Sequence, residues 1–179
     1  MPTMGLDAID RHILEALQVD GRLTVVELAD KVGLSPSPCL RRLKRLEAEG
    51  HIAGYRALLS RDRVGLDLTV FVGVKVDGHR DDNASALQQA IKAMPEVVSA
   101  HLVSGEADFL LEVVVPDLKH YEEFLIGRLL KLPMVKDIRS NFAIRRVKAD
   151  APLPLGHLAP PAPARKEPHK AAKPASRRS

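Results

Sequence analysis

A short basic run contains the residues whose types and spacing point most directly to chemistry. Arg41, Arg42, Lys44 and Arg45 place four cations in five positions, and the next acidic residue is Glu47. Arginine can donate two hydrogen bonds to a guanine base, and arginine and lysine both neutralise phosphates. A charge run on a helix is usually just a solvated face. The run therefore indicates a nucleic-acid surface only together with its neighbours.

The residues before the basic run have the chemistry of a tight turn between two helices. A helix-turn-helix holds two short helices at a fixed angle so that the second enters the major groove. Ala29 is small enough for close helix packing, Gly33 suits a left-handed turn, and Leu34 fills the shared core. Ser35 is predicted to cap the next helix, with Pro36 at its first position. The segment predicts a helix-turn-helix.

The second helix of this pair is predicted to read DNA over residues 35–46. Leu40, Leu43 and Leu46 recur every three residues and are expected to form its buried stripe, so that the four cations point outward. Ser35 and Ser37, at the helix N-terminus, are expected to hydrogen-bond phosphate together with exposed backbone N–H groups.

Patterns typical of catalysis or metal binding are missing from the sequence. The seven histidines are scattered without metal-ligand spacing, and the single cysteine, Cys39, rules out an intrachain disulfide or a multi-cysteine metal cage. We find no nucleophile–base arrangement and no glycine-rich phosphate loop. The prediction is a protein that is not an enzyme and that needs no cofactor or metal.

Two regions must position these features. Residues 5–60 read as short helices, with apolar residues at helical spacing from Leu6 to Leu17 and a capping-box pattern at Thr24 and Glu27. The second region alternates strand-like and helical segments in the order βαββαβ, which is typical of a ferredoxin-like α+β domain. Its predicted elements are strand 69–76, helix 84–94, strands 97–103 and 109–115, helix 118–132 and strand 135–147.

The net charge of +4 is divided unevenly along the chain. Residues 151–179 contain six basic side chains and one acidic side chain, a net charge of +5. The other 150 residues contain 21 basic and 22 acidic side chains, a net charge of −1. The same segment holds seven of the thirteen prolines and no aromatic residue, so residues 150–179 are predicted to be disordered. We find no signal peptide and no apolar run long enough to span a bilayer, and expect a soluble, cytoplasmic, nucleoid-associated protein.

Longer stretches around these features resemble the Lrp/AsnC family of transcriptional regulators. The stretch 34–55 begins LSPSPCLRRLKRLE, and the stretch 102–109 reads LVSGEADF. Residues 6–10 and 20–22 match the same family, in collinear order over about residues 5–150. The two longer stretches are most similar to the leucine-responsive branch.

The resemblance implies an α+β protein with three parts before the basic tail. These are a winged helix-turn-helix domain over residues 5–60, a linker over 61–68, and a βαββαβ ferredoxin-like αβ-sandwich over 69–149 that senses a ligand. The implied partners are double-stranded DNA, an amino-acid effector such as leucine, and further copies of the chain. Homodimers would form by pairing sheets and assemble to a tetramer or octamer, with no membrane partner.

The resemblance also assigns residues to two sites. The DNA-binding positions are Ser35, Ser37, Pro38, Arg41, Arg42 and Arg45, and Lys44, which is equally basic, is added as a phosphate contact. The effector-binding positions are Val103, Ser104, Gly105, Glu106, Ala107, Asp108, Phe109, Met134 and Ser140. Gly105 is expected to let the backbone approach a ligand, and Asp108 to pair with an α-ammonium group.

Two departures from the family pattern lie near the implied effector site, and three alternatives stay open. Phe109 stands where the family usually has tyrosine, and Met134 where it often has glycine. The effector loop alternatively reads as a polar hairpin with Asp108 as a cap. The whole chain alternatively reads as an architectural DNA-binding protein without an effector, or as an enzyme like the sirohaem decarboxylases, which share the two-domain layout.

Overall fold

The structure, a computed structural model, describes residues 5–77 and 81–158, without the side chains of residues 81 and 82. It divides into two compact units. The first contains the described residues up to Arg56 together with those from Asp150 onward, and the second is Ala57–Ala149. Among the described residues, no helix is long and apolar enough to cross a membrane.

The first unit is built from three helices: α1 (Ala8–Val19), α2 (Val25–Val32) and α3 (Pro36–Ala48). The capping box predicted at Thr24 and Glu27 begins α2 and is confirmed. Gly33 ends α2 with a φ of +70°, in the left-handed region that the turn requires. The predicted helix-turn-helix is therefore present as α2, a short turn and α3.

The buried face of α3 differs from the predicted leucine stripe. Cys39 and Leu46 have no exposed surface and Leu43 packs against them, whereas Leu40 is 37% exposed. A strict three-residue period drifts around an α-helix that has 3.6 residues per turn, so positions 39, 43 and 46 share one face. The first core also contains Ile13, Leu28 and Ala29.

Ser35 occupies the N-cap position of α3, but its side chain makes no capping hydrogen bond. An N-cap oxygen normally accepts from the N–H of the second or third helical residue. The third residue here is Pro38, which has no N–H. The Ser35 hydroxyl is exposed at the start of α3 as a result.

No strand forms in the described part of the first unit, so the helix-turn-helix stands without the predicted wing. A strand needs a partner for its backbone hydrogen bonds, and the segment after α3 has none within this unit. The Tyr55 hydroxyl in that segment donates a hydrogen bond to Glu47 Oε1 at 3.0 Å. Burial, followed by this contact with Glu47, raises the pKa of Tyr55 to about 12.

The second unit confirms the predicted βαββαβ order. Its sheet is antiparallel throughout and has the strand order β2-β3-β1-β4. The last helix and the last strand are both shorter than predicted, and a 3₁₀ turn separates them. The elements are β1 (Leu68–Val76), α4 (Asp81–Lys92), β2 (Val97–Leu102), β3 (Phe109–Val115), α5 (Leu118–Gly127) and β4 (Val135–Phe142).

The two faces of the sheet have different surroundings. Alternate residues of β1, including Val72, join the core formed with Leu87 of α4 and Phe124 of α5. On the other face Phe71 of β1 and Leu110 of β3, which pairs with Gly73, are exposed. All the apolar burial between sheet and helices therefore lies on one side, and the other side is an open sheet face.

Replacing Leu28 by alanine tests the first core. Leu28 is fully buried, so Leu28→Ala is expected to lower the free energy of unfolding of the first unit by about 2–5 kcal/mol. Val26→Ala, on the exposed side of the same helix, is the control and should change it by about 0.5 kcal/mol or less. Urea unfolding followed by circular dichroism measures both, and equal effects would contradict the assigned helix face.

Candidate nucleic-acid interface and ligand-binding loop

The exposed side of α3 begins at its N-terminus. Ser35 and Ser37 are exposed there, Pro38 is half-buried, and Arg41 and Lys44 follow as exposed cations. Neither Arg41 nor Lys44 has an ion-pair or hydrogen-bond partner among the described side chains. This side of α3 combines unpaired positive charge with the exposed hydroxyl groups of Ser35 and Ser37, an arrangement suited to phosphates.

The other two cations of the run are held by α1. Arg42 Nη1 lies 2.6 Å from Asp7 Oδ2 and 2.9 Å from Asp10 Oδ1, and Arg45 Nη2 bonds to Asp10 Oδ2. The Arg42 side chain is only 25% exposed and that of Arg45 41%. The expectation that all four cations point outward is therefore wrong for Arg42 and holds only in part for Arg45, because two carboxylates on another helix attract them.

The carboxylate at the centre of this ion-pair cluster has no exposed surface. Asp10 is the one buried charged residue of the described chain, and a buried charge needs a hydrogen-bonded partner. It also accepts from the Asp7 backbone N–H at 3.1 Å, while the Asp10 N–H donates to Asp7 Oδ1 at 2.9 Å. The cluster of Asp7, Asp10, Arg42 and Arg45 thus joins the start of α1 to the middle of α3.

The pKa shifts in the cluster agree with this geometry. The Asp10 backbone N–H, and then the Arg42 guanidinium, hold the pKa of the Asp7 carboxyl below its ordinary value. Hydrogen bonds to Asp10 and then to Asp7 raise the pKa of Arg42. Both partners of this ion pair are therefore held in their charged forms.

The sequence contained only an indirect signal for this cluster. Two aspartates in the first turn of α1 are already accounted for by the helix dipole and by capping, so nothing local indicates a second role. Cys39 is buried in the first core, where desolvation raises the pKa of its thiol.

The predicted effector loop, residues 103–109, connects β2 to β3, which begins at Phe109, and closes on the end of β1. The Val103 N–H donates to the Asp108 carbonyl at 2.9 Å, and the Asp108 N–H donates to the Val74 carbonyl at 3.0 Å. Asp108 Oδ2 accepts from the Val76 N–H at 2.8 Å. Asp108 therefore acts as a cap at the end of β1, as in the polar-hairpin alternative.

The outer part of the loop keeps its hydrogen-bonding groups available. None of the hydrogen bonds found within the described residues uses the backbone N–H groups of residues 104–107. Gly105 has a φ of +119°, which favours glycine, and Glu106 pairs with Arg139 of β4. Ala107 covers Gly73, where an added Cβ would lie 3.3 Å from the Ala107 Cβ. Sequence reasoning missed Arg139 and Gly73, because only the sheet brings them to the loop.

The remaining predicted effector residues lie elsewhere in the second unit. Phe109 is buried in the core on the helix side of the sheet. Ser140 is on the same side, where its hydroxyl hydrogen-bonds to the Tyr121 hydroxyl of α5 at 2.5 Å. Met134 is half-buried before β4, and its carbonyl accepts from the Asp77 N–H at 2.9 Å. The structure therefore does not bring Phe109 or Ser140 to the outer side of the loop.

A shallow depression lies at the other end of the same sheet. It has a volume of about 400 Å³ and is lined by the start of β1, the turn into α5 and the end of β4.

No group of histidine, cysteine and acidic side chains that would hold a metal ion occurs among the described residues.

Comparison with known proteins agrees with both units. The family models described as the AsnC-type helix-turn-helix domain and the Lrp/AsnC ligand binding domain match residues 6–47 and 69–153. The chain is 44% identical to the leucine-responsive regulatory protein of Escherichia coli over 147 residues, which are 82% of this chain and 90% of that protein.

Two solved structures are similar over almost the whole fold. A transcriptional regulator from Neisseria meningitidis in complex with L-Met superposes with a TM-score of 0.83 at 41% identity, over 87% of this chain and 100% of that chain. An AsnC family transcriptional regulator from Agrobacterium tumefaciens superposes with a TM-score of 0.82 at 38% identity, over 86% of this chain and 100% of that chain.

Fold, site and comparisons define a DNA-binding transcriptional regulator with a helix-turn-helix unit and a separate ligand-binding unit. The chain belongs to the Lrp/AsnC family.

Removing the charge of Asp10 tests the ion-pair cluster. Asp10→Asn is expected to lower the free energy of unfolding of the first unit by about 3 kcal/mol, because it leaves two arginines without their buried partner. Asp30→Asn, an exposed aspartate on α2, is the charge-matched control and should have little effect. Urea unfolding compares the two variants. An equal response would mean that Asp10 does not hold α1 and α3 together.

Proposed function

We propose that the exposed side of α3 lies in the major groove of an operator and reads its sequence. The observation that supports this most is the pair of unpartnered cations, Arg41 and Lys44, on the second helix of a helix-turn-helix. Arg41 is assigned to base edges and Lys44 to phosphate. The proposed DNA-binding residues are Ser35, Ser37, Pro38, Arg41, Arg42, Lys44 and Arg45.

Arg42 and Arg45 have two roles in this proposal. Each guanidinium has five N–H donors, and the carboxylates of α1 engage only part of them. The Arg42 side chain is 25% exposed and that of Arg45 41%, so part of each guanidinium is available to DNA in this proposal. At the same time the ion pairs fix the orientation of α3, which determines where Arg41 and Lys44 point.

We propose that the loop of residues 103–108 binds the effector, an amino acid such as leucine. The free N–H groups of residues 104–107 suit an α-carboxylate, and the second carboxylate oxygen of Asp108 suits an α-ammonium group. The solved relative in complex with L-Met supports this ligand class. In the proposed site Val103–Asp108 contact the ligand and Phe109 follows the loop into the core, whereas Met134 and Ser140, which bond to Asp77 and Tyr121, are given no ligand contact.

We also propose that the chain forms homodimers through the open sheet face and assembles further to a tetramer or octamer. Phe71 and Leu110 are exposed on that face, so a second sheet would bury them. Beside them Glu112 lies 2.9 Å from Arg61 and 3.9 Å from Arg146, so its charge is already compensated. We propose that the assembled regulator acts on the nucleoid in the cytoplasm.

Alanine variants of the two free cations test the DNA interface. A duplex selected from a random pool by the unmodified protein serves as operator, and a random duplex as the non-specific probe. Arg41→Ala should weaken operator binding by about 1–3 kcal/mol with a much smaller effect on the random duplex, and Lys44→Ala should weaken both alike.

Lys92→Ala on α4 is the control for loss of one positive charge, and is expected to leave both affinities unchanged. Fluorescence anisotropy at fixed salt measures all the affinities. If Arg41→Ala and Lys44→Ala behave like this control, α3 is not the reading helix.

A bulky residue at position 105 tests the effector loop. Gly105→Val forces a β-branched residue to a φ of +119°, and is expected to abolish the stabilisation that a bound amino acid produces and to change the oligomer size. The control is Gly127→Ala, where the added Cβ meets open space. A thermal-shift screen of the twenty amino acids, with light scattering, gives both readouts. If Gly105→Val keeps both the stabilisation by amino acids and the oligomer size of the unmodified protein, this loop is not the effector site.

A further inference from the structure

The open face of the sheet has a carboxylate on one of its two inner strands. In the register Glu112 of β3 lies directly opposite Phe71 of β1, so the two side chains share that face. Leu110, two residues before Glu112 on the same strand, points to the same side. The Glu112 side chain is 24% exposed in the single chain. A partner that covered Phe71 and Leu110 would therefore also cover a charged group.

This carboxylate is neutralised by an arginine that the sheet itself does not carry. Arg61 lies before β1, at the start of a short 3₁₀ turn, Asp62–Val64. Its Nη1 donates to Glu112 Oε1 at 2.9 Å and to Thr69 Oγ1 at 3.1 Å. The Arg61 side chain is 25% exposed, so both charges are largely withdrawn from water. The ion pair therefore forms within one chain and needs no group from a partner.

A second arginine, Arg146, approaches the same carboxylate less closely. Its Nη2 lies 3.9 Å from Glu112 Oε1, in the segment that follows β4. That segment continues into the first unit, where the Leu153 N–H donates to Gln18 Oε1 at 2.6 Å and Gln18 Nε2 donates to the Leu153 carbonyl at 3.3 Å. Because the segment is attached at both ends, Arg61 remains the direct partner of Glu112.

The attachment to Gln18 also differs from the prediction made for the tail. Residues 150–158, which were predicted to be part of a disordered tail, follow a defined path that includes this attachment and a 3₁₀ turn at Gly156–Leu158. The other residues of the predicted tail, 159–179, lie outside the described residues.

Other acidic side chains on or beside the open face also have basic neighbours. Glu106 of the loop pairs with Arg139 of β4, which lies opposite Gly73. Asp137 of β4 lies directly opposite Lys75 of β1 in the register. The negative charges of this face are thus matched within the same chain, and an oppositely charged partner is not needed to cover it.

This matching of charges favours one kind of partner. In a two-fold dimer a face meets an identical face, so an uncompensated charge on it would be buried against a surface of the same sign. Burying a carboxylate without a partner is costly, whereas a carboxylate with its ion pair already formed is buried at a lower cost. A face with internally matched charges and exposed apolar side chains, Phe71 and Leu110, therefore suits a second copy of this chain.

We propose that Arg61 makes the open sheet face self-complementary, because it neutralises Glu112 in each protomer and so lets two identical faces close on each other. The two residues are not equivalent in this role. Glu112 is fixed on an inner strand and would stay in the interface, whereas Arg61 has a long side chain outside the strands that can turn to solvent. The arginine is thus required only while the glutamate is present. This inference rests on the homodimer proposed above.

Glutamine at each position, alone and together, tests this asymmetry in the full chain. Arg61→Gln leaves Glu112 without its direct partner, and is expected to raise the concentration at which dimers dissociate by about 10- to 100-fold. Glu112→Gln and the double variant Arg61→Gln/Glu112→Gln have no carboxylate to neutralise, and should dissociate at the concentration of the unmodified protein. The control, Arg63→Gln, removes one exposed positive charge from the same 3₁₀ turn and should have no effect.

Sedimentation velocity of the fluorescently labelled proteins over a dilution series measures these concentrations, and circular dichroism shows whether each variant is folded. If Arg61→Gln dissociates like Arg63→Gln, the inference is wrong. It is also wrong if the double variant is no tighter than Arg61→Gln. If Arg61→Gln does not fold, the double variant decides. Assembly at the unmodified concentration then supports neutralisation of Glu112 by Arg61, and weaker assembly contradicts it.

An uncharged change of the same face separates this inference from the proposed homodimer. Phe71→Ala/Leu110→Ala removes exposed apolar surface and should weaken the dimer independently of Arg61. If it does so and Arg61→Gln does not, the inference fails and the homodimer stands. If it dissociates like the unmodified protein, the open face is not the dimer interface and both proposals fail. An unmodified chain that stays monomeric throughout the series would show that a different protein covers this face.

Discussion

A carboxylate without exposed surface, Asp10, lies between two arginines of the neighbouring helix, and the DNA-binding unit depends on that arrangement. The interior of so small a unit gives an ionised group little water, so the charge is tolerable only because Arg42 and Arg45 both donate to it. The same carboxylate accepts from the Asp7 backbone at the start of α1. One buried charge therefore fixes the start of one helix and the orientation of another.

This constraint divides the basic residues of α3 into two kinds. The arginines that face α1 hold the helix in place, and the neighbouring cations of the run, Arg41 and Lys44, stay free of partners in the described chain. A reading helix has to be rigid as well as positively charged, because a base-edge hydrogen bond tolerates little displacement. In the proposed DNA interface the two requirements are met by different cations of one five-residue run.

The ligand-binding unit applies the same principle with a carboxylate and a backbone N–H group in place of an ion pair. Asp108 caps the end of β1 through the Val76 N–H, and this bond holds the loop whose other N–H groups remain free. Gly73 has no side chain, which lets Ala107 lie directly over the sheet. In both units, residues that look like ligand contacts in the sequence are first of all the supports of the element that is proposed to carry the contacts.

Local pattern was sufficient for the elements: the capping box at Thr24, the left-handed turn at Gly33 and the βαββαβ order follow from short-range periodicity and backbone preference. The separation of the basic tail from a neutral body also followed from the sequence alone. Only the tertiary structure decided which cations of α3 face outward, that Ser140 points to α5, and that Leu153 attaches to Gln18. Each of these depends on a partner distant along the chain, and no local pattern specifies which charge or hydrogen-bonding group will lie within about 3 Å of another after folding.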